Sequence, residues 1–166
     1  MAGQPVIFSG QAFSLKGEKG RYVLPSAFRN TVKDSSDGKI LCLAKHDRWE
    51  CLTGFGLSRE SELAAQLQRE EDSAIKRGLD FDYDTRASQL YGFARIPFDD
   101  SGRFVMPDHL VTLAGLDEAL YFQGGGSFFT IWHPEALYRM GAGWEGAQAA
   151  CRSFESELAG KAGARK

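Results

Sequence analysis

A chain of 166 residues with 43% hydrophobic side chains has about the length of one ordinary domain and enough apolar material for a packed interior. No apolar run approaches the roughly 20 residues of a membrane-crossing helix, and the N-terminus shows no basic segment leading into a long apolar stretch, so neither a membrane span nor a secretory signal is expected. The net charge of −2 disfavours a uniformly basic nucleic-acid binder, and three cysteines without a C-x-x-C spacing read as cytosolic free thiols rather than a disulfide framework.

In chain order, a strand is predicted around Val6–Phe8. Phe13 and Leu15 alternate with Ser14 and Lys16, which predicts another. Gly17–Gly20 is a turn by composition, and Arg21–Leu24 resumes as strand. Pro25 suits the first position of a short helix, Ser26–Val32, followed by a loop over Asp34–Gly38. Lys39–Ala44 reads as a buried strand, with Trp49–Thr53 as its hairpin partner after the turn His46-Asp47-Arg48. Residues 58–77 change period: Leu63, Ala64, Leu67, Ala74 and Ile75 fall near one helical face. Ser58 or Ser61 would cap that helix and Gly78 would end it. A second helix spans Tyr83–Tyr91.

The order then recurs. Phe93–Phe98 is a strand, Asp99–Gly102 a turn, Arg103–Met106 a strand and Pro107–Leu113 a short helix. Glu118–Gln123 and Phe128–Trp132 form a hairpin around Gly124–Ser127. Pro134 opens a helical segment to Met140, and 144–159 form an amphipathic helix whose Trp144, Phe154 and Leu158 serve either core packing or an oligomer contact. The tail Gly160–Lys166 is expected to fray.

The recurrence is visible in the residues themselves. Gly20-Arg21-Tyr22-Val23-Leu24-Pro25 returns as Gly102-Arg103-Phe104-Val105-Met106-Pro107. An internal repeat fixes architecture before any single motif does. Each half alone is marginal in size and gains from sharing a core. The expectation is an α+β, β-rich fold with helices between the repeats and at the end.

Charge separates the two copies. Residues 1–33 carry Lys16, Lys19, Arg21, Arg29 and Lys33 against Glu18 alone, a net of +4. Residues 34–94 hold eight positive and twelve negative side chains, and 95–166 hold seven and nine. A local basic patch on an acidic chain is able to hold phosphate while the bulk charge stays negative. Gly20 and Gly102 are read as positive-φ turn residues, with the arginines either closing strand ends or contacting phosphate. Asp99, four residues before Arg103, is placed to bond the turn amides or orient the guanidinium, whereas Gly17 stands at the matching position of the first copy.

Other patterns carry less. Gly124–Ser127 runs strand to strand and lacks a phosphate-loop lysine, so a hairpin turn is expected. Asp80-Phe81-Asp82-Tyr83-Asp84 lacks the glycine and terminal glutamate of a calcium loop and reads as a solvated acidic linker. His46, His109 and His133 show no ligand spacing. No metal, cofactor or small-molecule substrate is called for. An enzyme built on Asp99 or Asp100 with His109 has no nucleophile–base pattern behind it.

The Asp99–Arg103 turn, its degenerate counterpart Gly17–Arg21, the Leu24-Pro25 and Met106-Pro107 pairs, the Leu113–Leu116 run and the late hairpin Phe128–Trp132 together resemble the MraZ family over roughly residues 7–140. Members of that family are built from two SpoVT/AbrB-like domains. The resemblance implies tandem half-barrel units forming one pseudo-twofold domain, with repeats at 7–54 and 93–137, a helical connection at 55–92 and a C-terminal helix and tail at 138–166. It implies a cytoplasmic, nucleoid-associated regulator of the division and cell-wall gene cluster. Such a regulator binds tandem direct repeats of double-stranded promoter DNA as a ring-shaped homo-oligomer. Carried over by motif, Arg21, Lys19 and Arg103 contact DNA, and charge alone adds Lys16 and Arg29. The competing expectation is an oligomeric assembly or protein-binding module without specific DNA recognition.

Overall fold

The computed structural model describes residues 6–164. The fold is mixed α+β. Eight strands are present among the described residues: β1 (Gln11–Leu15), β2 (Tyr22–Val23), β3 (Ile40–Lys45), β4 (Leu52–Phe55), β5 (Ala94–Pro97), β6 (Arg103–Phe104), β7 (Ala119–Gly124) and β8 (Phe129–Trp132). Six helices accompany them: α1 (Ser26–Ser36), α2 (Glu60–Lys76), α3 (Tyr83–Tyr91), α4 (Asp108–Ala114), α5 (Pro134–Tyr138) and α6 (Glu145–Ala164).

The strands do not stay within their own repeats. The main sheet is antiparallel with order β1-β7-β8-β4-β3-β5. Strand β1 pairs with β7 of the second half, and β5 pairs with β3 of the first. The two hairpins meet through β4 and β8. Exchanging every strand for its counterpart in the other repeat returns the same order read from the opposite end. The remaining strands, β2 and β6, pair with one another as a separate ribbon.

Alternation of side chains along β7 and β8 explains the two cores. Leu120, Phe122 and Ile131 point to the face covered by the ribbon, α1 and α4, where Leu24, Phe28, Val32, Phe104, Met106 and Leu110 are buried. Tyr121 and Trp132 point to the opposite face, covered by α5 and α6 with Leu137, Ala147 and Cys151. Burying each large side chain of this kind contributes roughly 1.5–3 kcal/mol. Trp144 packs edge-on against Trp49, and Phe154 stacks on Phe13, so α6 is a structural cover for this face. Leu158 is half-buried.

Several expectations are corrected. The strand around Val6–Phe8 is reduced to one isolated bridge, Phe8 to Gly126. Helix α1 runs four residues past Val32, because Ser36 Oγ donates to Ile40 O and accepts from Leu57 N, which satisfies a polar segment inside the fold. Strand β4 begins at Leu52, since Trp49 stacks on His46 instead of entering the ladder. The tail expected to fray is helical through Ala164, and residues 165–166 lie outside the described residues. All three cysteines are free and buried. Burial pushes the Cys42 thiol up to about 11.

Candidate nucleic-acid interface

The β2–β6 ribbon joins the two Gly-Arg turns. Tyr22 lies opposite Phe104 and Val23 opposite Arg103. Leu24 N–H extends the pairing by donating to Gly102 O at 2.8 Å. Alternation then sorts the side chains. Tyr22, Leu24, Phe104 and Met106 are buried, while Arg103 and Val105 are exposed and Arg21 and Val23 half-exposed on the outer face. The same register carried one residue further sets Arg21 opposite Val105. The ribbon is fixed from beneath: Ser14 Oγ donates to Val23 O at 2.9 Å, and Tyr22 OH donates to Asp117 O at 2.6 Å. Burial, reinforced by Asp117 and Glu118, raises the Tyr22 phenol above its ordinary value, so it stays a donor.

The second turn is closed by its carboxylate. Asp99 Oδ1 accepts from the amides of Ser101 at 3.0 Å and Arg103 at 2.9 Å, and Oδ2 accepts from Arg103 Nε at 2.7 Å. These bonds, led by the Arg103 amide, hold the Asp99 carboxyl below its usual value. Asp100 is also engaged, through Lys39 Nζ at 2.6 Å. Gly102 has φ +85, and a Cβ there would fall 2.5 Å from both Leu24 O and Arg29 Nε. The glycine is therefore required by backbone conformation and by space.

The first turn keeps the backbone and loses the clasp. Gly17 N–H donates to Arg21 O at 2.7 Å, as Asp99 N–H donates to Arg103 O at 3.0 Å. With no carboxylate at position 17, the chain forms a tight turn over Glu18–Gly20, with Lys19 (φ 59) and Gly20 (φ 68) both left-handed. Lys16 Nζ lies 5.7 Å above the Tyr22 ring. Among the described residues no ion pair involves Lys16, Lys19 or Arg21.

Of the residues singled out in the sequence, the ribbon thus brings together Lys16, Lys19, Gly20 and Arg21 at one turn and Asp99, Gly102 and Arg103 at the other. Arg29 sits between them in a structural position. Its Nε and Nη2 donate to Leu24 O at 3.2 and 3.1 Å, behind Gly102. Sequence reasoning missed Val105, which is 66% exposed and shares the outer face with the arginines. The alternation Arg103-Phe104-Val105-Met106 carried that signal. It also missed Lys39, which no local pattern links to Asp100.

Fold and site define a two-repeat α+β protein that presents an exposed ribbon carrying one arginine from each repeat. The curated relatives agree on what such a protein is. The chain is 32% identical over 120 residues to the transcriptional regulator MraZ of Rhodospirillum rubrum, covering 72% of this chain and 74% of that one. It is 32% identical over 130 residues to the protein of the same name from Parvibaculum lavamentivorans, covering 78% and 77%. The Caulobacter vibrioides protein of that name matches at 32% over 123 residues, covering 72% of each. No protein-family model matches the chain. The chain belongs to the MraZ family of transcriptional regulators.

Proposed function

We propose that the chain is a sequence-specific DNA-binding transcriptional regulator whose β2–β6 ribbon enters the major groove. The observation that carries this reading is the shared outer face of the ribbon, with an unpaired basic turn at one end and a clasped arginine at the other. A two-stranded ribbon fits the major groove in width. The ends then divide the work. Lys16, Lys19 and Arg21 contact phosphates, with Arg29 adding its charge from behind the ribbon, and supply sequence-independent affinity. Asp99 holds the Nε side of Arg103, leaving both Nη groups for a guanine edge.

The finer reading follows the family. Residues 7–54 and 93–137 are SpoVT/AbrB-like half-barrel units sharing one pseudo-twofold domain, 55–92 connect them, and 138–166 close the chain. The protein acts in the cytoplasm on the nucleoid, at tandem direct repeats in the promoter of the division and cell-wall gene cluster, as a ring of identical subunits. The four cations assigned to phosphate, Lys16, Lys19, Arg21 and Arg29, limit the salt slope to about −4 per engaged subunit, so a single subunit binds loosely. Several subunits on successive repeats gain affinity through effective concentration.

The test is a gel shift on the DNA upstream of the protein's own gene, titrated in salt. Salt-steep binding that requires tandem repeats is expected. No shift at low salt would instead favour an assembly module, a reading supported by the net charge of −2 and by Gly17 in the first turn.

A further inference from the structure

The α2–α3 hairpin carries two features that the ribbon does not use. The first is the segment Leu79-Asp80-Phe81-Asp82-Tyr83-Asp84, the loop between its helices with the first two residues of α3. Leu79 is 53% exposed, Tyr83 41%, and nearby Ile75 67%. Asp82 has a local task, since it caps α3 by accepting from Thr85 N at 3.1 Å and Thr85 Oγ at 2.7 Å. Asp80 and Asp84 form no ion pair among the described residues. Apolar side chains left in water beside uncommitted carboxylates make a surface that gains free energy by being covered.

The second feature is a groove of about 800 Å³ between the hairpin, strands β3 and β4, and helix α4. Leu63, Leu90, Leu113 and Phe128 give it an apolar lining. Leu113 is 51% exposed on the groove side of α4. Its charged lining is Lys45, Arg48, Arg59 and Arg86 against Asp47 and Glu70; Arg86 pairs with Asp47 and Glu70 and Arg59 with Glu62, which leaves Lys45 and Arg48 as the lining cations without an ion pair among the described residues. Loop and groove are therefore complementary in sign, and both offer uncovered apolar surface.

The loop lies outside the groove of its own chain. Arg77, Gly78 and Leu79 donate their amides to Ser73, Ala74 and Ile75 carbonyls at 2.9–3.1 Å, which ties the loop to the end of α2. The groove is walled instead by Leu63, Gln66 and Glu70 of α2 and by Arg86, Gln89 and Leu90 of α3.

We propose that the acidic, aromatic loop Leu79–Asp84 of one copy docks in the groove of a second copy. The contact joins two different surfaces, so it repeats from copy to copy and forms a ring where the rotation closes. This rests on the ring reading above and adds which surfaces meet.

The test uses the full chain and two variants, with mass measured in solution. Asp80→Lys/Asp84→Lys reverses the loop's charge and keeps the groove. Arg48→Glu/Leu113→Glu spoils the groove and keeps the loop. Each variant alone is expected to be monomeric at concentrations where the wild type assembles, with affinity weakened at least ten-fold. An equimolar mixture is expected to stop at a heterodimer, because each partner retains one working surface. If the groove variant misfolds by circular dichroism, the loop variant still decides the matter: added to wild type, it caps growing assemblies and lowers their mass. A loop variant that assembles like wild type overturns the contact and leaves the ring reading standing. A monomeric wild type overturns both.

Discussion

Asp99 holds Arg103 at two points, accepting its amide at 2.9 Å and its Nε at 2.7 Å. Backbone and guanidinium are thereby oriented by one carboxylate, an arrangement absent from Arg21. Substituting Asp99→Asn removes the charge and offers an NH2 where an acceptor is needed. We expect discrimination between cognate and scrambled DNA to fall on the order of ten-fold, the range for one bidentate base contact, while non-specific affinity is retained. Parallel titrations of both DNAs by fluorescence anisotropy check this. Equal loss on both would assign Asp99 to general binding instead.

Arg21→Ala is the complementary experiment. A phosphate contact carries no sequence information, so its removal lowers affinity evenly across DNAs and reduces the salt slope by about 1 for each engaged subunit. Plots of log affinity against log salt for wild type and variant supply the measurement. An unchanged slope would remove Arg21 from the interface.

The two turn glycines should respond unequally to the same change. Gly20→Ala meets only the φ +68 conformation, with Lys16 Cε at 3.5 Å, and is expected to cost about 1 kcal/mol. Gly102→Ala adds contacts of 2.5 Å to Leu24 O and Arg29 Nε. Its cost is expected at the upper end of the roughly 1–3 kcal/mol range for a strained backbone position. For a chain of this length that separates the two melting temperatures by several degrees, at roughly 2–4 °C per kcal/mol. Calorimetry of the two variants decides it, and equal melting would refute the crowded environment of Gly102.

His46 gives the fold a pH dependence. Its ring is buried and stacked on Trp49 at 4.3 Å, and Nδ1 accepts from the amides of Arg48 and Trp49 at 3.1 and 3.2 Å. Burial lowers its affinity for a proton, outweighing the pull of nearby Asp47. The unfolded chain takes up that proton near pH 6.5 and the folded chain only at lower pH. The stabilisation is therefore complete above about pH 6.5 and is lost as pH falls toward the folded value. Thermal melts from pH 8 to pH 5 should show this decline, and His46→Gln should flatten it.

Much of this was written locally. The repeat is explicit in Gly20–Pro25 and Gly102–Pro107, and helices α2 and α3 follow from period and end signals such as Gly78. The pairing was not legible, because alternation identifies a strand without naming its neighbour. Nothing near Arg21 says that Tyr22 will lie opposite Phe104. The start of β4 was hidden for a related reason. Trp49 has the composition of a strand residue, yet its ring is claimed by His46 and Trp144. Strand β4 runs on past Thr53 through Gly54, where the Phe129 ring occupies the space a Cβ would need, at 2.5 Å. At the two turns, the clustering of cations and the Asp99 clasp were readable from spacing. The fixed role of Arg29 required Gly102 to be packed beside it.

The exchange of strands between the halves has a consequence for how such a protein diverges. Two identical chains interlocked in this way would carry every substitution twice, once at each end of the ribbon. A single chain containing both copies is released from that constraint. Position 17 holds glycine while its counterpart, position 99, holds the aspartate that clasps Arg103, and among the described residues the turn cations without an ion pair gather at the first turn. One shared scaffold thus carries two ends that differ in charge and in how the turn is held.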